Sequence, residues 1–158
     1  MSIRCNTLSA IFASALAFSS LWANQASAKP VYLSFSPPVK SVSIYSNSGG
    51  SIGQFALRAA KLRNSRALVK FEGRCDSACT LFLGLPSKQT CISRGAFFRF
   101  HAPRHPSAKA ARYAKNYMMR KYPGWVRTWI GQNRGLSSRL ITMNYKYASR
   151  FIPACVTA

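Results

Sequence analysis

The chain has 158 residues, with 23 Lys+Arg against 2 Asp+Glu and a formal net charge of +21. At 48% hydrophobic and 16% charged residues, it is too apolar for charge-driven disorder and long enough for one substantial core. With Glu72 and Asp76 the only side-chain carboxylates, neither a carboxylate cage for calcium or magnesium nor a glycosidase pair outside these two residues can be built.

In chain order, residues 1–28 read as a secretory signal peptide. Arg4 supplies the positive start, Leu8 to Trp22 is mostly apolar, and Ala26-Ser27-Ala28 is a small-x-small cleavage site. The apolar run is short for a bilayer span and is broken by Ser14, Ser19 and Ser20. Removing 28 of the 158 residues, with Arg4 among them, leaves 130 residues and a formal charge of +20. The expectation is a single α/β domain over 29–158 that is secreted or periplasmic and not transmembrane after signal cleavage. Its cysteines fit that compartment. Cys75, Cys79, Cys91 and Cys155 remain after cleavage, and their spacing is not that of a zinc ribbon, so disulfides are expected rather than a metal. Three pairings exist; the favoured one is Cys75–Cys79 with Cys91–Cys155.

Val31 to Phe35 alternates as a short strand, stopped by Pro37-Pro38. Val42 to Tyr45 is a second strand, followed by the turn Ser46-Asn47-Ser48-Gly49-Gly50. Ile52, Phe55, Ala56, Ala59, Ala60 and Leu62 then recur at helical spacing. Ala67 to Phe71 reads as a buried parallel strand, and Ala78 to Leu83 as a short buried helix closed by Gly84 and Pro86. Ala96 to Phe100 is the next strand. This strand–helix–strand–helix–strand order predicts a parallel sheet with flanking helices. Residues 107–158 read as mainly helical and basic. Ser107 caps a helix through about Lys121, Pro123 opens a second, and Ser137 or Ser138 caps a third that carries Leu140, Ile141, Met143 and Tyr147.

In a parallel α/β sheet, ligands gather at the carboxyl ends of the strands. Three turns fall there: Ser48-Gly49-Gly50, Cys75-Asp76-Ser77-Ala78-Cys79 and Phe100-His101-Ala102-Pro103. Ser77 stands at a helix start, where free backbone N–H groups favour negative charge. The expected constellation has Ser77 as nucleophile, His101 as general base, and the backbone N–H groups of Gly50 and Ala78 as an oxyanion hole. Each residue also has a plainer reading: Ser77 as a helix cap, His101 as a strand-end structural histidine, and Asp76 as a structural acid paired with Arg74 or capping its turn.

The segments SNSGGSIGQFALRAAKLR, GRCDSACTLFLG and FRFHAPR, in this order, resemble the ClpP/crotonase superfamily, in its exported, periplasmic ClpP-like branch. The similarity spans roughly residues 40–105 and is looser to Cys155. It implies a ClpP/crotonase-like parallel sheet and a peptide or acyl substrate. By position it places the oxyanion donor, nucleophile and base on Gly50, Ser77 and His101, which lie in the order and at the separations of that layout. The departure from the family lies downstream. A Clp-type triad has an Asp after the His, whereas from Ala102 to Ala158 this chain has no Asp or Glu and 11 Lys+Arg. Asn144 is the candidate orienter of His101 in its place. Replacing a triad Asp by Asn costs a serine protease roughly 10⁴-fold in rate. The resemblance therefore carries two expectations: a catalytically weak or degenerate domain, or a Ser77/His101 hydrolase that needs no cofactor.

The charge points outward. Lys109, Arg112, Lys115, Arg120 and Lys121 lie on the first C-terminal helix, interleaved with Tyr113, Tyr117 and Tyr122. In an exported protein such a face suits an anionic surface, an anionic polymer or an acidic protein better than nucleic acid, which that compartment largely lacks. The plainer reading is a solvated cationic face.

Overall fold

The computed structural model describes residues 40–156. The expected signal peptide and the strand expected over Val31 to Phe35 lie outside the described residues. Within 40–156 the chain forms β1 (Ser41–Asn47), α1 (Ile52–Asn64), β2 (Leu68–Asp76), a 3₁₀ segment (Ser77–Gly84), β3 (Thr90–Ile92), β4 (Phe97–Phe100), α2 (Ala108–Lys121), α3 (Gly124–Gln132), β5 (Ile141–Asn144) and α4 (Tyr145–Ala148).

Strand β2 organises the sheet. One of its edges pairs in parallel with β1, from Ser41 opposite Leu68 to Asn47 opposite Cys75. Its other edge is shared in sequence: β3 covers Val69 to Phe71, and β4 covers Arg74 to Asp76, both parallel. The strand order is β1-β2-β4-β5 with β3 beside β2, so this is an α/β fold with a five-stranded sheet and flanking helices. Period-two burial makes β2 central, since Val69 and Phe71 go fully into the core while Lys70 and Glu72 remain partly exposed. Phe71 meets Phe98 of β4 edge-on, with ring centroids 4.9 Å apart.

Capping sets the helix starts. The Ser51 hydroxyl accepts from the Gln54 N–H at α1, and the Ser107 hydroxyl accepts from the Ala110 N–H at α2. Met118 and Tyr122 at the end of α2, and Val126 and Ile130 of α3, close the core over Phe100. The disulfides are Cys75–Cys79 and Cys91–Cys155. The second ties the C-terminal segment to β3, where Cys155 N–H donates to the Ile92 carbonyl and Ile92 N–H to that of Pro153.

Two expectations are corrected. The third C-terminal helix is instead β5 followed by the four-residue α4. Ile141 and Met143 are two apart, and that period fits the open edge of β4, where they pair antiparallel with Phe100 and Phe98. The sheet is consequently mixed rather than all-parallel, although the rest of the C-terminal part is largely helical. The short strand β3 has no sequence signal of its own beyond the Thr90-Cys91-Ile92 triplet. No described helix is long and apolar enough to cross a membrane.

Candidate functional site

Strand register decides which turns meet. Parallel pairing sets Asn47 opposite Cys75 and Asp76 opposite Arg99. The chain therefore leaves β1 at Ser48-Gly49-Gly50, β2 at Ser77 and β4 at His101 on one rim, from three adjacent strands. At that rim the first two turns are in contact. A Cβ added to Gly49 would lie 2.6 Å from the Asp76 carbonyl oxygen, 2.8 Å from Ser77 Cβ and 2.9 Å from the Ala78 nitrogen. Gly49 has φ +84°, and its N–H donates to Asn47 Oδ1 at 2.9 Å. A residue without a side chain is required both for this dihedral and for this approach.

Ser77 itself has φ +54°, a left-handed conformation that costs a non-glycine residue about 1–2 kcal/mol. Four restraints hold it there. Gly49 packs on its Cβ. The disulfide Cys75–Cys79 bridges the turn from both sides. The Ser77 carbonyl accepts from Thr80 Oγ1 at 2.6 Å, and Thr80 in turn meets the Tyr122 hydroxyl at 2.6 Å. Since the Thr80 proton is given to Ser77, Tyr122 must be the donor to Thr80. Tyr122 is buried, and burial pushes its phenol well above the ordinary tyrosine range.

The fourth restraint is Asp76. Its carboxylate is buried and takes a fork from Arg99 of β4, with Nε to Oδ1 at 2.8 Å and Nη2 to Oδ2 at 2.5 Å. Arg74 Nε is 3.6 Å away from the same group. The expected Arg74 partnership is therefore secondary to one that residue spacing does not reveal, a cross-strand pair set by register. The hydrogen bonds that Arg99 donates to Asp76 push its guanidinium pKa further above the usual range. The other acid, Glu72, accepts from Ser93 Oγ at 2.5 Å. Both carboxylates are thus engaged within the fold, and neither forms a hydrogen bond with His101.

His101 is half-buried at the end of β4. Its Nδ1 lies 2.7 Å from the Ala102 carbonyl oxygen. A carbonyl only accepts, so Nδ1 carries a proton, and the tautomer this bond selects has its lone pair at Nε2. This backbone orienter escaped the sequence reading, which sought a side chain. Asn144 is not that side chain. It sits opposite Phe97, on the order of 10 Å down β4 from the histidine, and its Oδ1 accepts from the Tyr147 N–H as the cap of α4. Ser77 Oγ and His101 Nε2 are not hydrogen-bonded to each other, and neither has a hydrogen-bond partner among the described residues.

For the predicted oxyanion pair, Gly50 has φ +146° in the exposed turn and Ala78 is buried as the second residue of the 3₁₀ segment. The first N–H groups of such a segment have no acceptor within it. On α2, Lys109, Arg112, Arg120 and Lys121 are exposed. Lys115 departs from this set, because its Nζ donates to the Leu136 carbonyl at 2.9 Å and ties α2 to the loop after α3. No group of three or more His, Cys, Asp or Glu that could hold a metal occurs among the described residues.

No protein-family model and no curated protein matches the chain. The fold is similar to that of a peptidase from Plasmodium falciparum, with a TM-score of 0.51 over 76% of this chain and 79% of that one, at 12% identity. The likeness at that identity is one of α/β fold.

Proposed function

We propose that this is an exported ClpP-like domain acting as a slow serine hydrolase on peptide or acyl bonds, with Ser77 as nucleophile and His101 as base. The observation that carries the reading is the left-handed Ser77, held against its conformational preference at the rim that also receives His101 and the Gly49-Gly50 turn. Strained backbone persists where surrounding structure over-determines it, and it clusters at active sites. The resemblance of the three segments to Clp-type peptidases and the fold shared with a peptidase support the same reading.

In the proposed reaction, His101 Nε2 takes the Ser77 proton as Oγ bonds to the substrate carbonyl carbon. The carbonyl oxygen, now anionic, is received by the N–H groups of Gly50 and Ala78. The imidazolium then protonates the leaving group, and water repeats the sequence on the acyl-enzyme. The Ala102 carbonyl sets the correct tautomer but brings only a partial negative charge to the imidazolium where a triad brings a full one. Slowness follows from that difference.

A second reading has one observation in its favour: the serine and histidine are not hydrogen-bonded in the free protein. On this reading the scaffold is catalytically degenerate, and exposed Lys109, Arg112, Arg120 and Lys121 bind an anionic envelope surface, polymer or acidic protein. Fluorophosphonate labelling separates the two. Labelling that is lost in Ser77→Ala and His101→Ala but kept in a Lys109→Gln/Arg112→Gln variant establishes the hydrolase. Absent labelling, with salt-sensitive co-sedimentation on anionic vesicles, establishes the scaffold. Export to an oxidising compartment belongs to both readings, supported by the two disulfides and by the leader-like residues 1–28.

A further inference from the structure

We propose that the groove between α1 and α2 binds a single-chain anionic amphiphile of the fatty-acid type, its hydrocarbon along the two helices and its carboxylate at their C-terminal ends. This site is separate from the Ser77/His101 rim and does not depend on the hydrolase reading.

The groove has a volume of about 700 Å³, within the range of small-molecule sites. Its walls are Ile52, Ala56 and Ala60 of α1 and Tyr113 and Tyr117 of α2, with Leu81 of the 3₁₀ segment as floor. Small residues on α1 are what open it, since an alanine at 56 and at 60 leaves space that a larger side chain would fill. Two of its lining side chains, Leu57 and Tyr113, are 74% and 68% exposed, an unusual outlay of apolar surface on so cationic a protein. From Ile52 to Arg63 the α1 wall runs about 17 Å at 1.5 Å per residue. That length suits an extended chain rather than a compact ligand.

One end of the groove is chemically distinct. Arg63 ends α1 and Lys121 ends α2, and Gly84 brings them together. The Gly84 carbonyl accepts from Arg63 Nη2 at 2.6 Å, and a side chain at 84 would collide with the Lys121 carbonyl. Neither cation has a carboxylate partner among the described residues, where the salt bridges all go to Asp76. Arg63 gives one N–H to a neutral carbonyl and keeps the rest of its fork. Lys121 lies over the Tyr117 ring, its Nζ 5.4 Å from the centroid. An apolar trough ending in two cations with no carboxylate partner among the described residues complements one chain with one negative head. A neutral lipid would leave the charged end unused, and a peptide would bring polar backbone onto walls that offer it few partners.

The test is calorimetric titration of the protein over residues 29–158 with dodecanoate below its micelle concentration, with dodecanol as the uncharged comparison. Saturable 1:1 binding of dodecanoate, at least 10-fold tighter than dodecanol, is expected. Ala60→Trp should fill the trough and weaken binding at least 10-fold, and Leu57→Glu should do the same through repulsion. Both positions are exposed on α1, so unchanged thermal unfolding serves as the folding check. Lys121→Gln should reduce the preference for dodecanoate over dodecanol about 5-fold. Absence of binding overturns the proposal. So does equal affinity for the alcohol, or indifference to both wall substitutions. A concentration-dependent dimer that Ala60→Trp disrupts, without dodecanoate uptake, would assign the groove to a second copy and also overturn it.

Discussion

The strain at Ser77 has a thermodynamic signature that separates a held nucleophile from an ordinary helix cap. Ser77→Ala keeps the left-handed backbone and deletes the hydroxyl, which has no protein partner among the described residues; its stability should match wild type within about 0.5 kcal/mol. Ser77→Gly deletes the same hydroxyl and also removes the Cβ that makes φ +54° costly. The relief is about 1–2 kcal/mol, partly offset by the greater freedom of glycine in the unfolded chain, leaving about 1 kcal/mol in favour of the glycine variant. For a domain of this size, 1 kcal/mol is about 4 °C in Tm. Arg66, an exposed residue with φ +53° in the turn before β2, provides a comparison where no chemistry is proposed.

The measurement is thermal and urea unfolding by circular dichroism, without reductant, of wild type, Ser77→Ala, Ser77→Gly and Arg66→Gly, alongside fluorophosphonate labelling. Ser77→Gly should unfold about 4 °C above Ser77→Ala, and Arg66→Gly should show a similar gain over wild type. Labelling should vanish in both Ser77 variants and persist in Arg66→Gly. A Ser77→Gly variant no more stable than Ser77→Ala would refute the strain argument and remove the main support for Ser77 as nucleophile.

Further outcomes follow from contacts of the same kind. Gly49→Ala pushes a methyl into Asp76, Ser77 and Ala78 at a positive φ and should cost at least about 2 kcal/mol with loss of labelling, whereas Gly131→Ala, in α3 with nothing within 4 Å, should gain up to about 1 kcal/mol in the same unfolding assay. Arg99→Met strands the buried Asp76 carboxylate with Arg74 alone; because Arg99 is partly exposed, the expected loss is about 2–3 kcal/mol, read as a drop of roughly 8–12 °C in Tm. Tyr122 stays protonated in the folded protein above the pH at which an unfolded tyrosine ionises. Its contribution is complete below about pH 10 and is lost upward from there, with a slope near 1.4 kcal/mol per pH unit that Tyr122→Phe should remove from the urea-monitored stability profile. On a chain-entropy estimate, Cys91→Ala/Cys155→Ala should cost about 4 kcal/mol for a loop of 64 residues, and Cys75→Ala/Cys79→Ala about 2 kcal/mol for a loop of 4, giving distinct urea midpoints.

What the sequence disclosed tracks what is local. Ser107 marks its helix because a cap is an interaction within four residues, and β2 shows itself through Val69 and Phe71. The ends of β1, β2 and β4 were legible as sharing one rim because parallel topology sends consecutive strand ends to the same side. Two of the misreadings are non-local. Ile141 and Met143 fit a helix or a strand equally well until β4 offers them an open edge. Arg99 finds Asp76 through register across two strands, so the neighbouring Arg74 looked the better partner. His101 is oriented by the carbonyl of the next residue, an atom every residue carries and no composition can flag. Asn144 was read as the orienting amide, yet its oxygen is needed to start α4.

The scarcity of carboxylates links these observations. With 23 cations and 2 anions, an acid placed beside His101 would sit in a strongly positive field and would be drawn into arginine pairing, as Asp76 is. The fold uses that one buried carboxylate to fix the serine turn rather than to charge the histidine. Orientation of the imidazole falls to the Ala102 carbonyl, which carries no net charge for surrounding cations to compete for. Such a site retains positioning and tautomer control and forgoes electrostatic stabilisation of the imidazolium, while a net positive field favours the oxyanion. On the proposed hydrolase reading this compromise means slow acylation, and the rate should rise most when an acid is supplied next to the ring rather than when further cations are removed.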